Sequence, residues 1–217
     1  MFGQITIENL DYLVQGYVTT IALSLGAMVV ALIIGCVVAS FRVWGGRVPS
    51  SAAVFYVEFF RNTPLLIQLF FFAVVLAPNN LGITADPFLV ALIGLSLYTG
   101  AFATEAIRSG ILAIDPGQVE AARSLGLSQL ATIRLVVLPQ AIRTVVPPLG
   151  NVASALIRNS SVASAIGTRE LLFMGLLVAN RTFSLEPLIG VLLGYWSLTL
   201  TLSLVLGRLE RRLAFAR

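Results

Sequence analysis

The stretch EAARSLGLSQLATIRLVVLPQAIRTVVPPLGN, residues 120–151, decides how this chain is read. It is a polar interruption in an otherwise apolar sequence. It opens like a soluble surface helix and closes on a run that returns to apolar territory past Pro139 and the Pro147-Pro148 pair. Just upstream, Asp115 is a natural N-cap, Pro116 suits the first helical position, and Gln118 stands where a capping-box partner stands. Gly126 is placed to end the helix in a left-handed conformation, so the pattern predicts a helix over 116–125. Ser128 can cap a second short helix before Pro139. A helix this short is marginal alone in water and needs something to pack on it. Ala121 and Ala122 leave a low surface for the close approach of another backbone, and Glu120 and Arg123 are spaced to pair. A membrane protein that keeps such a helix in a polar loop is presenting it either to lipid headgroups or to a soluble partner.

The membrane assignment comes from composition. Of 217 residues, 58% are hydrophobic and 11% charged, and the mean hydropathy is +0.94, far above soluble averages. Spans of about 20 apolar residues cross a bilayer. Stretches near that length lie at 16–41, 61–77, 87–107 and 187–207, with a weaker one at 140–157 interrupted by Arg143, Pro147, Pro148 and Asn151. The expectation is an all-α integral membrane protein: one transmembrane domain over 1–217, five spans, and a polar loop over 109–138. No basic region precedes the first apolar stretch, which is too long for a signal-peptide core and is expected to stay as an anchor.

Charge placement gives an orientation. The net charge of +4 is no nucleic-acid signal, because the arginines sit in short loops. Arg42 and Arg47 follow the first span, Arg108, Arg123 and Arg134 fall in the loop after the third with Arg143 at the start of the fourth, and Arg208, Arg211, Arg212 and Arg217 form the tail. Glu8, Asp11 and Asp86 mark the opposite ends. The positive-inside rule then places the N-terminus outside and the C-terminus in the cytoplasm. With no histidine, the commonest metal ligand and proton shuttle are missing. The lone Cys36, among Ile33, Ile34, Val37 and Val38, reads as packing.

Ordered motifs run along nearly the whole chain. They begin with Phe60-Arg61-Asn62-Thr63-Pro64-Leu65-Leu66, then Thr104-Glu105 with Arg108-Ser109-Gly110-Ile111. Next come Gly117-Gln118, Glu120-Ala121-Ala122, Ser124-Leu125-Gly126, and Leu138-Pro139-Gln140-Ala141 with Arg143. They end with Pro148-Leu149-Gly150-Asn151 and Arg158-Asn159-Ser160-Ser161. This set resembles the ATP-binding-cassette importer permeases of the polar amino-acid family, whose "EAA" loop matches residues 117–126 together with 138–141 and Arg143. Its details are most similar to actinobacterial glutamate permeases. Two departures stand out: Arg158 where lysine is common, which keeps the charge, and Asn62 where glycine is common.

The resemblance implies a type I importer permease subunit in a bacterial cytoplasmic membrane. Its loop helix would couple to a separate ATPase through Gln118, Glu120, Ala121, Ala122, Ser124 and Gly126. It also implies two ATPase subunits carrying ATP and magnesium, a second identical or related permease, and an extracytoplasmic amino-acid-binding protein. The residues agree that ATP is handled elsewhere: no phosphate-binding G-x-x-x-x-G-K-[ST] occurs and lysine is absent.

Ionisable groups at membrane depth usually face a bundle interior or a water-filled path. Glu105 with Arg108, and Glu58 with Arg61, are three apart and can form structural pairs. Alternatively, Arg61 and Glu105 line a substrate path together with Asn151. Pro147 and Pro148 make the fourth span the expected irregular helix, either as a kink or as part of a binding site. The apolar run 171–178 is too short to span and reads as an outward-side helix. The alternative function is a proton-coupled secondary transporter with Glu105 titrating. A membrane enzyme is the weaker reading again, since histidine is absent and no nucleophile–base or metal set can be assembled from the sequence.

Overall fold

The computed structural model describes residues 7–213, and among these every regular element is helical. Arg217 lies outside the described residues. Four helices are long and apolar enough to cross a membrane: Asn9–Trp44, Pro87–Leu112, Gln129–Ile166 and Pro187–Arg212. They contain the expected spans at 16–41, 87–107, 140–157 and 187–207. The first helix, α1 (Ile7–Trp44), has 38 residues and rises about 57 Å, well beyond an apolar layer of about 30 Å. Cys36 is exposed on its surface and does not pack as expected.

The expected span at 61–77 is different in the structure. Two helices, α2 (Arg47–Asn62) and α3 (Leu65–Val75), meet at a 110° bend, and together they could make a fifth, broken span. Pro64 has no amide donor and keeps Thr63 extended at φ −111°, ψ 144°. Side chains satisfy the carbonyls freed at the break. Gln68 Nε2 donates to Phe60 O (3.0 Å), Thr63 O (3.2 Å) and Thr63 Oγ1 (2.6 Å). The Thr63 hydroxyl donates to Phe59 O at 2.7 Å. At membrane depth such bonds replace what water cannot supply. Arg61 therefore sits in the last turn of α2, not at the start of a span.

Helix α4 (Pro87–Leu112) is the hub, with α1, α2, α3 and α7 packed around it. Its buried positions include Gly94, Gly100, Ala101, Ala103, Thr104, Ala106 and Gly110, the small residues that let membrane helices approach closely. At Gly110 an added Cβ would lie 2.1 Å from Val145 Cγ2, so only glycine fits there. Leu23, Leu69, Leu95 and Leu156 fill the centre between α1, α3, α4 and α7.

After the polar loop, α6 (Gln129–Thr132), a π-turn (Ile133–Val137), α7 (Leu138–Asn159) and a 3-10 turn (Ser160–Ile166) run on continuously. The irregularity expected at Pro147-Pro148 falls here instead. Pro139 cannot donate one turn back, and the chain widens so that Leu138 N reaches Ile133 O. Gln140 Nε2 donates to Val136 O at 3.0 Å. Pro147 and Pro148 lie inside an unbroken α7; the carbonyls they leave belong to Arg143 and Thr144, on its exposed face.

The short apolar run becomes α8 (Leu171–Thr182), which buries Leu171, Met174, Gly175, Val178 and Ala179 against α1 and α9 (Pro187–Leu213). Glu170 caps it, accepting from Leu172 N (3.0 Å) and Phe173 N (2.7 Å), and it also accepts from the Tyr195 hydroxyl. Burial pushes this carboxyl above the usual range, against the pull of its hydrogen-bond donors.

Candidate functional site

The polar loop folds as its punctuation predicts. Helix α5 (Pro116–Ser124) starts at Asp115, whose Oδ1 accepts from Gly117 N at 2.8 Å. It ends where Gly126 turns left-handed at φ 84°, with Leu127 N reaching Ala122 O at 3.2 Å and Gly126 N reaching Arg123 O at 2.9 Å. Ser128 Oγ accepts from Ala131 N at 3.3 Å and starts α6. Ala122 does not join the outward surface: it is buried and holds α5 to its own chain, while Gln118, Glu120, Ala121, Ser124 and Gly126 face out. Glu120 and Arg123 form no ion pair. Leu125 is 84% exposed beside them and Leu130 is 75% exposed. Behind the helix lies a cavity of about 190 Å³ lined by Trp44, Ile111, Ile114, Val119 and Val137 among others.

Glu105 is tied down from two sides. Arg108 Nη2 donates to its Oε2 at 2.9 Å, and Arg42, from the end of α1, pairs with Oε1. The expected Glu105–Arg108 pair therefore forms, with a third member 63 positions away that local spacing does not reveal. The Glu58–Arg61 pair does not form. Glu58 accepts from Asn62 Nδ2 at 2.8 Å, and the Arg61 guanidinium stands over the Phe102 ring at 5.3 Å.

Phe102 links these groups to Asn151. A cavity of about 260 Å³ between α4 and α7 is lined by Tyr98, Thr99, Phe102, Asn151, Val152 and Asn159 among others. Tyr98, Phe102 and Glu105 follow one face of α4, so the Phe102 ring that Arg61 covers stands about one turn from Glu105. Asn151 also lines the grooves between α7 and α9, so it borders cavities on both sides of its helix. Phe102 thus carries the Arg61 guanidinium over its ring and lines the cavity that Asn151 also lines, while Glu105 is held in an ion cluster one turn along α4. Such a site, apolar walls with a few converging polar groups, suits a small polar solute.

The chain matches the family described as "Binding-protein-dependent transport system inner membrane component" over residues 12–215. It is 36% identical over 210 residues to the probable glutamine ABC transporter permease protein GlnM of Bacillus subtilis, covering 96% of each chain. It is 37% identical to the glutamate transport system permease protein GluC of Corynebacterium glutamicum, covering 93% of this chain and 94% of the relative. Among solved structures, a crystal structure of an amino acid ABC transporter with histidines superposes with a TM-score of 0.85 at 31% identity, covering 95% of this chain and 96% of that one. An all-helical fold, a capped helix in a polar loop and a family match along nearly the whole length agree: this chain belongs to the binding-protein-dependent transport system inner membrane component family.

Proposed function

We propose that this chain is the permease subunit of an ATP-driven importer carrying a polar amino acid of the glutamine–glutamate type. The observation that carries the reading is α5: capped at both ends, anchored through buried Ala122, and turning Glu120, Ala121, Ser124 and bare Leu125 outward. That surface suits a cleft in a soluble ATPase. On this reading two ATPase copies, holding ATP and magnesium, dock on the loops of two permeases, this chain and an identical or related one. An extracytoplasmic binding protein delivers the solute. The glutamine and glutamate permeases among the relatives support the solute class.

The orientation is N-terminus outside and C-terminus cytoplasmic. It is supported by the Arg42–Glu105–Arg108 cluster at one end of α1 and α4, with Arg208, Arg211 and Arg212 closing α9. The path runs past Asn151 and the cavity shared with Tyr98, Thr99 and Phe102, with Arg61 and Glu105 at its margin. Two guanidinium partners suit Glu105 to an anchoring role more than to carrying a proton.

Reconstituted vesicles containing the permease, its ATPase and its binding protein test this. Uptake of glutamine or glutamate should follow ATP and ignore an imposed proton gradient. Glu120→Arg or a bulky Gly126→Val should leave hydrolysis running without uptake. Uptake driven by the proton gradient, or wild-type coupling in both variants, would refute the reading.

A further inference from the structure

Helix α5 has a second face, turned back toward the spans. Val119 and Arg123, four residues apart on it, line the cavity of about 190 Å³ that also meets Trp44 at the end of α1 and Ile111 and Ile114 near the end of α4. Ile111, Ile114 and Val119 are partly buried and give it apolar walls, whereas Trp44, Arg123 and Gln129 are exposed and stand at its opening. Among the described residues, the Trp44 indole N–H, the Arg123 guanidinium and the Gln129 amide have no hydrogen-bond or ion-pair partner. Arg42, two residues before Trp44, is already committed to Glu105. The cavity is smaller than the ~300–1,000 Å³ of sites that enclose a whole small molecule. It fits part of a larger one. On α1, Ile33, Val37, Phe41 and Trp44 follow one face at helical spacing, and all four are exposed. An apolar track thus leads from the membrane interior to the opening of the cavity.

We infer that this cavity seats the glycerophosphate of an anionic phospholipid from the cytoplasmic leaflet, with the phosphate on Arg123 and an acyl chain along the α1 track. The inference rests on the importer reading, whose orientation puts α5 on the cytoplasmic side. A guanidinium presents a fork to phosphate oxygens, and Trp44 and Gln129 add uncharged donors. Arginines close to the cytoplasmic surface attract anionic lipid, and Arg47 starts α2 three residues after Trp44. Trp44 ends an apolar track beside polar groups, the setting tryptophan prefers at headgroup level. A free amino acid has no chain for the track. A zwitterionic lipid brings its own cation to the phosphate, so the anionic headgroup is the better match for Arg123. A lipid held there fills the space between α5 and the spans and becomes part of the seat of the loop helix.

The test is native mass spectrometry of the purified permease–ATPase complex, washed in detergent and then offered phosphatidylglycerol or phosphatidylcholine. The wild type should retain phosphatidylglycerol in preference. Arg123→Gln should lower that retention by about fivefold, and Arg123→Lys by less, because lysine keeps the charge and loses the fork. Ile114→Phe fills the cavity, leaves the arginine in place, and should lower retention as well. Arg211→Gln removes an exposed cation at the end of α9, outside the cavity lining, and should leave retention within about twofold. Size exclusion should show the arginine variants assembled. Equal retention of the two lipids by the wild type overturns the inference. So does an equal loss in Arg123→Gln and Arg211→Gln, which would mean attraction by surface charge at large. Loss of assembly in both Arg123 variants overturns it too, since Arg123 would then hold the fold. Phosphatidylglycerol retained only before the ATPase docks is a further refutation, and would give the cavity to an ATPase side chain. Retention is read without transport, so a failure of ATP-driven uptake strikes the importer reading and is told apart from a failure of the lipid site.

Discussion

Tyr195, in α9, donates its phenolic proton to Glu170, the residue that caps α8. One hydrogen bond thus fastens the start of a short helix to a spanning helix 25 positions further along the chain. Thr20 adds α1 to the same corner, where its Oγ1 accepts from Leu171 N at 3.1 Å. Tyr195→Phe should lower the stability of the purified complex by about 1–2 kcal/mol, read as a lower unfolding midpoint. Glu170→Ala should cost about 1 kcal/mol more, because the cap is lost as well.

The same carboxyl makes a pH prediction. Its affinity for a proton is raised in the folded protein, so folding takes up a proton in the window above the ordinary value of 4.5. Stability falls as pH rises through that window and levels off above the folded pKa. Glu170→Gln cannot titrate. Comparing unfolding midpoints of wild type and Glu170→Gln from pH 4.5 upward should show a slope that only the wild type has.

Glu105 and Asn151 should separate anchoring from passage. Glu105→Ala leaves Arg42 and Arg108 without their shared acceptor, and stability should fall by about 2 kcal/mol. Asn151→Ala removes no protein hydrogen bond, so the midpoint should stay within about 0.5 kcal/mol while uptake per complex drops severalfold. Unchanged uptake in Asn151→Ala would remove this residue from the path.

Gly110 and Val145 make a reciprocal pair. Gly110→Ala drives a methyl into Val145 and should destabilise by about 1–3 kcal/mol. Adding Val145→Ala should recover most of the loss, so the double mutant is more stable than the sum of the singles predicts. Additive losses would show that the α4–α7 contact is not what glycine protects.

Removal of the Asp115 cap should be felt locally. Asp115→Ala should cost α5 about 1 kcal/mol and speed amide exchange over residues 116–124 while spans α1 and α4 stay protected.

What was legible in the sequence was mostly local. Asp115, Pro116 and Gly126 set α5 through their own backbone chemistry, and no tertiary contact was needed to find them. The Glu105–Arg108 pair follows from helical spacing. Arg42 does not, because helix packing brings it to Glu105 across 63 positions. Burial of Glu170 was hidden for the same reason: its partner is on another helix. The break at Thr63-Pro64 was written in the sequence, but the apolar run around it has the hydropathy of a straight span. Pro147 and Pro148 misled in the other direction. Proline usually kinks a helix, yet here α7 runs on through both, with the carbonyls they free on its exposed face.

The π-turn at Ile133–Val137 bears on the rotational phase of everything after it. A π-turn carries one residue more than the α-helix it interrupts, and each residue advances a helix by about 100°. The wide turn takes up that extra residue locally, so Asn151, Ser154 and Arg158 keep the azimuth that a regular helix one residue shorter would give them. Deleting one residue from the wide turn would let it close as ordinary α-helix with Asn151 left in phase, whereas inserting one residue beyond it would swing that face by about 100°. Beyond the wide turn, the distance in sequence to the polar face thus works as an angular index as well as a spacer.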